Sequence, residues 1–115
     1  MTPADFRDFV ETIAKTVGFP FDRVILGGDH LGPNPWKKLP AAEAMAKAKV
    51  MIDAFARAGF TKLHLDTSMG CAGEPVALAD ALTAERAASL AAVAEAATKD
   101  ATVKPVYIVG SVRCV

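Results

Sequence analysis

The 115 residues are 52% hydrophobic and 23% charged, which fits one folded domain with a single core and leaves too little polarity for disorder. With 13 basic and 13 acidic residues the charges cancel, so nothing favours nucleic acid, a membrane surface or a polyanion, and the expected partner is a small molecule or another protein. No apolar run approaches the roughly 20 residues of a membrane span, and MTPADFRDF lacks the regions of a signal peptide, so the expectation is a cytoplasmic protein.

In chain order, Thr2-Pro3-Ala4-Asp5 offers a capping hydroxyl, a proline at the first helical position and an early carboxylate, which together predict a helix start. Phe6, Phe9, Ile13 and Val17 recur every three or four residues, the apolar stripe of a helix lying on a sheet, and Gly18 ends it. Val24-Ile25-Leu26, stopped by Gly27-Gly28, reads as a buried strand. A second helix is predicted from Pro40 to Ala58, with Gly59 as its stop, and a strand from Lys62 to Leu65. After a loop of about 15 residues, an alanine-rich helix is expected from Thr83 to Thr98 and a strand from Val106 to Val109.

This αβαβαβ order, with strand starts about 40 residues apart, predicts an α/β fold: about three parallel strands alternating with helices, a partial (β/α)₈ barrel forming one unit over residues 1–115. Parallel strands put their C-terminal ends on one face, where function is expected. Those ends carry Gly27-Gly28-Asp29-His30, Asp66-Thr67-Ser68 and Gly110-Ser111.

Asp29 is a candidate proton-exchanging carboxylate and His30 a candidate metal ligand, although an Asp capping a turn beside a loop His would look the same. His64 shares the face of Asp66 by alternation. It either borders the site or is a satisfied core histidine, and the core role is the expectation. Asp66, Thr67 and Ser68 suit sugar hydroxyls, or turn chemistry alone. The stiff loop Leu31 to Trp36, which holds Asn34 as a candidate substrate contact, places an exposed-reading Trp36 to stack a sugar, fill an interface or cover the rim. Cys71 with Glu74 and His30 makes a metal set on paper, but Cys71 and Cys114 are expected to be free buried thiols. Lys62 and Lys104 precede their strands and so fall on the face opposite the candidate site, which argues against Schiff-base chemistry. The glycines match neither nucleotide-binding fingerprint.

Two stretches, Gly27 to Trp36 (GGDHLGPNPW) and Ala58 to Pro75 (AGFTKLHLDTSMGCAGEP), resemble the signatures of the accessory, Z-type subunit of class II tagatose-bisphosphate aldolase. The resemblance implies a (β/α)₈ barrel acting in tagatose 6-phosphate, galactitol or amino-sugar breakdown, non-catalytic itself and supporting a catalytic aldolase partner. It also implies that Asp29 and Asp66 stand in catalytic positions and that His30 is a ligand of a divalent metal, zinc, while Asn34 and Ser68 are candidate contacts to a sugar phosphate. The further histidine ligands of the catalytic relatives are absent from this chain, so a complete zinc site is not expected. Some relatives look like 4-epimerases of ketose phosphates or hexuronates, a metal-assisted alternative on the same face. A whole barrel takes roughly 250 residues. The expectation is therefore an internal fragment, its first strand lying before Met1. After Ser111 a glutamate and a proline-rich loop are expected, but Val112-Arg113-Cys114-Val115 follow, as in a truncated or frame-shifted product. Open sheet edges then predict weak solubility or self-association.

Overall fold

In the structure, a computed structural model that describes residues 1–110, helix α1 spans Pro3–Thr16. Its start is set by a reciprocal cap. The Asp5 backbone N–H donates to the Thr2 hydroxyl (3.1 Å) and the Thr2 N–H donates to the Asp5 carboxylate (2.8 Å), so two otherwise orphaned donors are satisfied. The apolar stripe does not lie on a sheet as expected. Phe6, Phe9, Ile13 and Val17 stay 42 to 70% exposed. The helix leans mainly on α2 (Ala41–Arg57) and on a 3₁₀ turn at Phe21–Arg23, using Ala14, Val10 and a Phe6–Phe60 ring contact with centroids 6.2 Å apart.

Strand β1 is Gly27–Leu31, not the β-branched run before it. Val24 ends the 3₁₀ turn and Ile25 is 77% exposed. Pairing decides the matter over propensity. Only from Gly27 does β1 find its neighbour β2 (Lys62–Leu65), in the register Gly27 to Lys62 and Gly28 to Leu63. A Cβ on Gly28 would sit 2.5 Å from Leu31 Cδ1 and 3.1 Å from Phe55 Cδ1, so a larger residue here would have to push those side chains aside. The register then shifts between Gly28 and Leu31, a bulge that contains Asp29 and His30.

Strands β2 and β3 (Val106–Val109) fall where the sequence places them, and the sheet is parallel in the order β1-β2-β3. Helix α3 (Asp80–Ala97) begins three residues before the predicted Thr83. Buried Leu78 is fixed by its N–H donating to the Ser68 carbonyl (3.0 Å), and the helix starts directly beyond that anchor. This is the α/β architecture of an arc of a (β/α)₈ barrel, with strands and helices alternating along the chain.

Alternation gives the sheet two unlike faces. Leu63 and Leu65 point to the helix side and, with Ile52 of α2 and Leu90 of α3, are wholly buried. Tyr107 joins them and donates its hydroxyl to Glu95 of α3 (2.7 Å). Burial and that carboxylate push the phenol above its ordinary pKa. On the opposite face Val106 and Ile108 stay 63% and 45% exposed, so no helix of the described residues covers it. Ser111, the Val112 to Val115 ending and Cys114 with its expected thiol lie outside the described residues.

Candidate functional site

The C-terminal ends of the strands converge as expected. At the β1 bulge His30 adopts a left-handed backbone (φ 50°), a conformation a non-glycine residue holds only against a cost. It turns the imidazole beside Asp29, with Nδ1 3.3 Å from Oδ2, and both side chains are about two-thirds exposed. The chain after the bulge is pressed onto β2. Asp66 N–H donates to the Leu31 carbonyl (2.9 Å), and a Cβ on Gly32 would lie 1.8 Å from the Asp66 carbonyl oxygen.

His64 is not the core histidine expected. It stands in the middle strand with Nδ1 2.6 Å from Asp29 Oδ1 and Nε2 2.8 Å from the Gly110 carbonyl oxygen. The bonds to Gly110 and then to Asp29 raise its pKa against the opposing effect of burial. The same imidazole, through its hydrogen bond, holds the Asp29 carboxyl below the usual range. Asp66 and Ser68 are buried together, the Ser68 hydroxyl donating to Asp66 Oδ1 (2.8 Å) and its N–H to the same oxygen (3.2 Å). An open cleft of about 670 Å³ lies over them, lined by His30, His64, Asp66, Ser68, Ile108 and Gly110. Asp29 borders a second hollow of about 410 Å³ on the α1 side.

Other candidates separate from this group. Asn34 opens a 3₁₀ turn (Asn34–Trp36) and lines neither hollow, and its Oδ1 is buried without a hydrogen-bond partner. Trp36 is half-buried against the core, which makes it a cover for the rim and not an exposed ring. Cys71 is a buried free thiol whose pKa is raised by burial. Glu74 is taken by Arg86, which donates to both its oxygens, and by the Cys71 N–H (2.9 Å), so the Cys71, Glu74 and His30 metal set does not form. This pair depresses the Glu74 pKa and closes the loop after β2 onto α3. Lys104 donates to the Thr98 and Lys99 carbonyls at the far end of α3, consistent with its placement away from the site.

Ligand atoms of Asp29, His30 and His64 lie within 4.8 Å of one another. A catalytic zinc takes three protein ligands. Both nitrogens of His64 also meet Asp29 and the Gly110 carbonyl, so a metal at this cluster would compete with those contacts. Sequence reasoning missed the hub role of His64 and the Gly110 carbonyl. Alternation with Asp66 was a signal for the first; a backbone carbonyl beyond a strand end leaves none.

Residues 1–113 match the family model for D-tagatose-1,6-bisphosphate aldolase subunit GatZ/KbaZ-like proteins. The chain is 57% identical over 112 residues to a D-tagatose 6-phosphate 4-epimerase of Agrobacterium fabrum, covering 96% of this chain and 26% of that protein. It is 54% identical to a D-tagatose-1,6-bisphosphate aldolase subunit GatZ of Klebsiella pneumoniae, with the same coverage. A crystal structure of a probable tagatose 6 phosphate kinase from Sinorhizobium meliloti superposes with a TM-score of 0.90 at 68% identity, over 96% of this chain and 27% of that one. The chain thus spans about a quarter of the length of the curated relatives it matches.

Proposed function

The chain belongs to the GatZ/KbaZ-like family of D-tagatose-1,6-bisphosphate aldolase subunits, and on that footing we propose that it forms part of an accessory subunit supporting the activity and stability of a catalytic aldolase partner. The match over residues 1–113 to a family of aldolase subunits carries this reading. The pathway is the breakdown of tagatose 6-phosphate, galactitol or amino sugars, in the cytoplasm, with a sugar phosphate as ligand and neither nucleic acid nor membrane as partner. Among the described residues no helix is long and apolar enough to cross a membrane. The test is to co-produce the full-length protein carrying this segment with a catalytic class II aldolase subunit. Higher aldolase activity and a higher melting temperature of the complex are expected; no change in either refutes the proposal.

A second reading is a 4-epimerase of ketose phosphates or hexuronates, favoured by the Asp29–His64 contact and by the 57% identical relative of that name. Asp29 and Asp66 are the catalytic carboxylates, Asp29 as acid and base toward the substrate, Ser68 and Asn34 bind the sugar phosphate, and His30 is the contribution of this chain to a divalent metal. Removing a positioned general base lowers turnover by roughly 10²- to 10⁴-fold. Asp29→Asn in the full-length protein is therefore expected to abolish epimerisation of D-tagatose 6-phosphate while leaving partner activation intact; full turnover in that variant rules the epimerase reading out.

A further inference from the structure

Resting on the epimerase reading, in which Asp29 exchanges protons with substrate, we infer that His64 is the positioning residue for Asp29. Its ring bridges the functional ends of all three strands. It rises from β2, meets Asp29 Oδ1 of β1 at 2.6 Å and meets the carbonyl oxygen of Gly110, just beyond β3, at 2.8 Å. A carboxylate and a carbonyl are both acceptors, so the ring meets an acceptor at each of its nitrogens. The His30 backbone N–H also points at Nδ1, but at 3.4 Å, and it would need a lone pair there. The shorter, charge-assisted contact with the carboxylate wins that competition.

With Oδ1 held by His64, Oδ2, which lies 3.3 Å from His30 Nδ1, is the Asp29 oxygen assigned to a substrate hydroxyl. Burial supports this division of labour. The His64 side chain is 13% exposed and the Asp29 side chain 66%, so a sheltered tether aims an accessible reacting group. Asp29 sits at a bulge where the register with β2 is broken, and the ladder does not fix it. The imidazole does.

Two substitutions separate the two bonds. Asparagine places its amide N–H near the position of Nδ1 and keeps a donor for Asp29; glutamine places it near Nε2 and keeps a donor for Gly110. Misplacing a reacting group by about 1 Å costs on the order of 100-fold in rate. In the full-length protein assayed on D-tagatose 6-phosphate, His64→Gln is expected to lower kcat about 100-fold and His64→Asn less than about tenfold, with KM and bound divalent metal unchanged in both. Equal losses, or a better His64→Gln, would make His64 a mere tether between strands and overturn the inference, as would loss of metal from either variant. A readout independent of turnover is the ¹⁵N–¹H spectrum of histidine-labelled protein. Asp29→Asn is expected to shift the His64 Nδ1 resonance and leave Nε2 in place whether or not sugar phosphate is converted. Wild-type protein without turnover but with that shift counts against the epimerase reading alone; an unmoved Nδ1 overturns the positioning role.

Discussion

The helix side of the sheet and its two flanks use the same kinds of residue to opposite effect. Between the strands and α2 and α3, the side chains of Ile52, Leu63, Leu65 and Leu90 are wholly enclosed. On α1 and β3, Phe9, Val17, Val106 and Val109 are 55 to 70% exposed. Apolar content alone therefore does not mark the core. What distinguishes the regions is whether a second element is present to close over the stripe, and among the described residues only α2 and α3 are so placed. The functional cluster lies at the boundary, with His64 on the uncovered face and its anchor Leu65 on the covered one.

Substitutions probe that contrast, beginning with the largest effect. Leu63→Ala deletes a fully buried side chain and is expected to cost about 2 to 5 kcal/mol in chemical denaturation. A cost below about 1 kcal/mol would mean that the covered face is as loose as the flanks. Next is Gly32→Ala, whose methyl would meet the Asp66 carbonyl at 1.8 Å. Overpacking of this kind costs about 1 to 3 kcal/mol, and because the displaced strand end carries Asp66, ligand binding should weaken along with stability. Isothermal titration beside a melt checks both.

A smaller and pH-dependent effect is expected at Glu74. Its folded pKa is depressed by Arg86, so its contribution to stability is present above the ordinary carboxylate pKa and is lost as pH falls through the lower folded value. The denaturation midpoint of Glu74→Gln should accordingly lie below that of the wild type at pH 7 and meet it in acid; a gap that persists in acid would assign the effect to something other than ionisation. Smallest of all is Phe9→Asp on the exposed stripe of α1. Stability should change by no more than about 0.5 kcal/mol, and self-association in sedimentation should fall. A core-sized penalty would show that the flank is covered.

Much of this was legible in the sequence because the signals were local. The Thr2 and Asp5 cap, the periodicity of α2, and the β-branched composition of β3 each act within a few residues. β1 was misplaced for the opposite reason: glycines are poor strand formers, and Gly28 is in the sheet because Leu31 and Phe55 occupy the space a side chain would need, a fact of tertiary packing. The stripe of α1 was visible, but periodicity names a face without naming what covers it. At the site, strand-end logic brought Asp29, His30, Asp66 and Ser68 to one place. It also named Asn34, which lines neither of the two hollows, and left His64 in the core, since the partners that pull it out are 35 and 46 residues away.

Trp36, the only tryptophan in the chain, packs against the enclosed core and not against the flanks. Its fluorescence is therefore a native label for one region alone. Loosening between β1 and α2 will shift its emission, whereas rearrangement along the exposed stripe of α1 will leave the spectrum unchanged, so a single optical signal can tell loss of the core from a change of neighbours outside it.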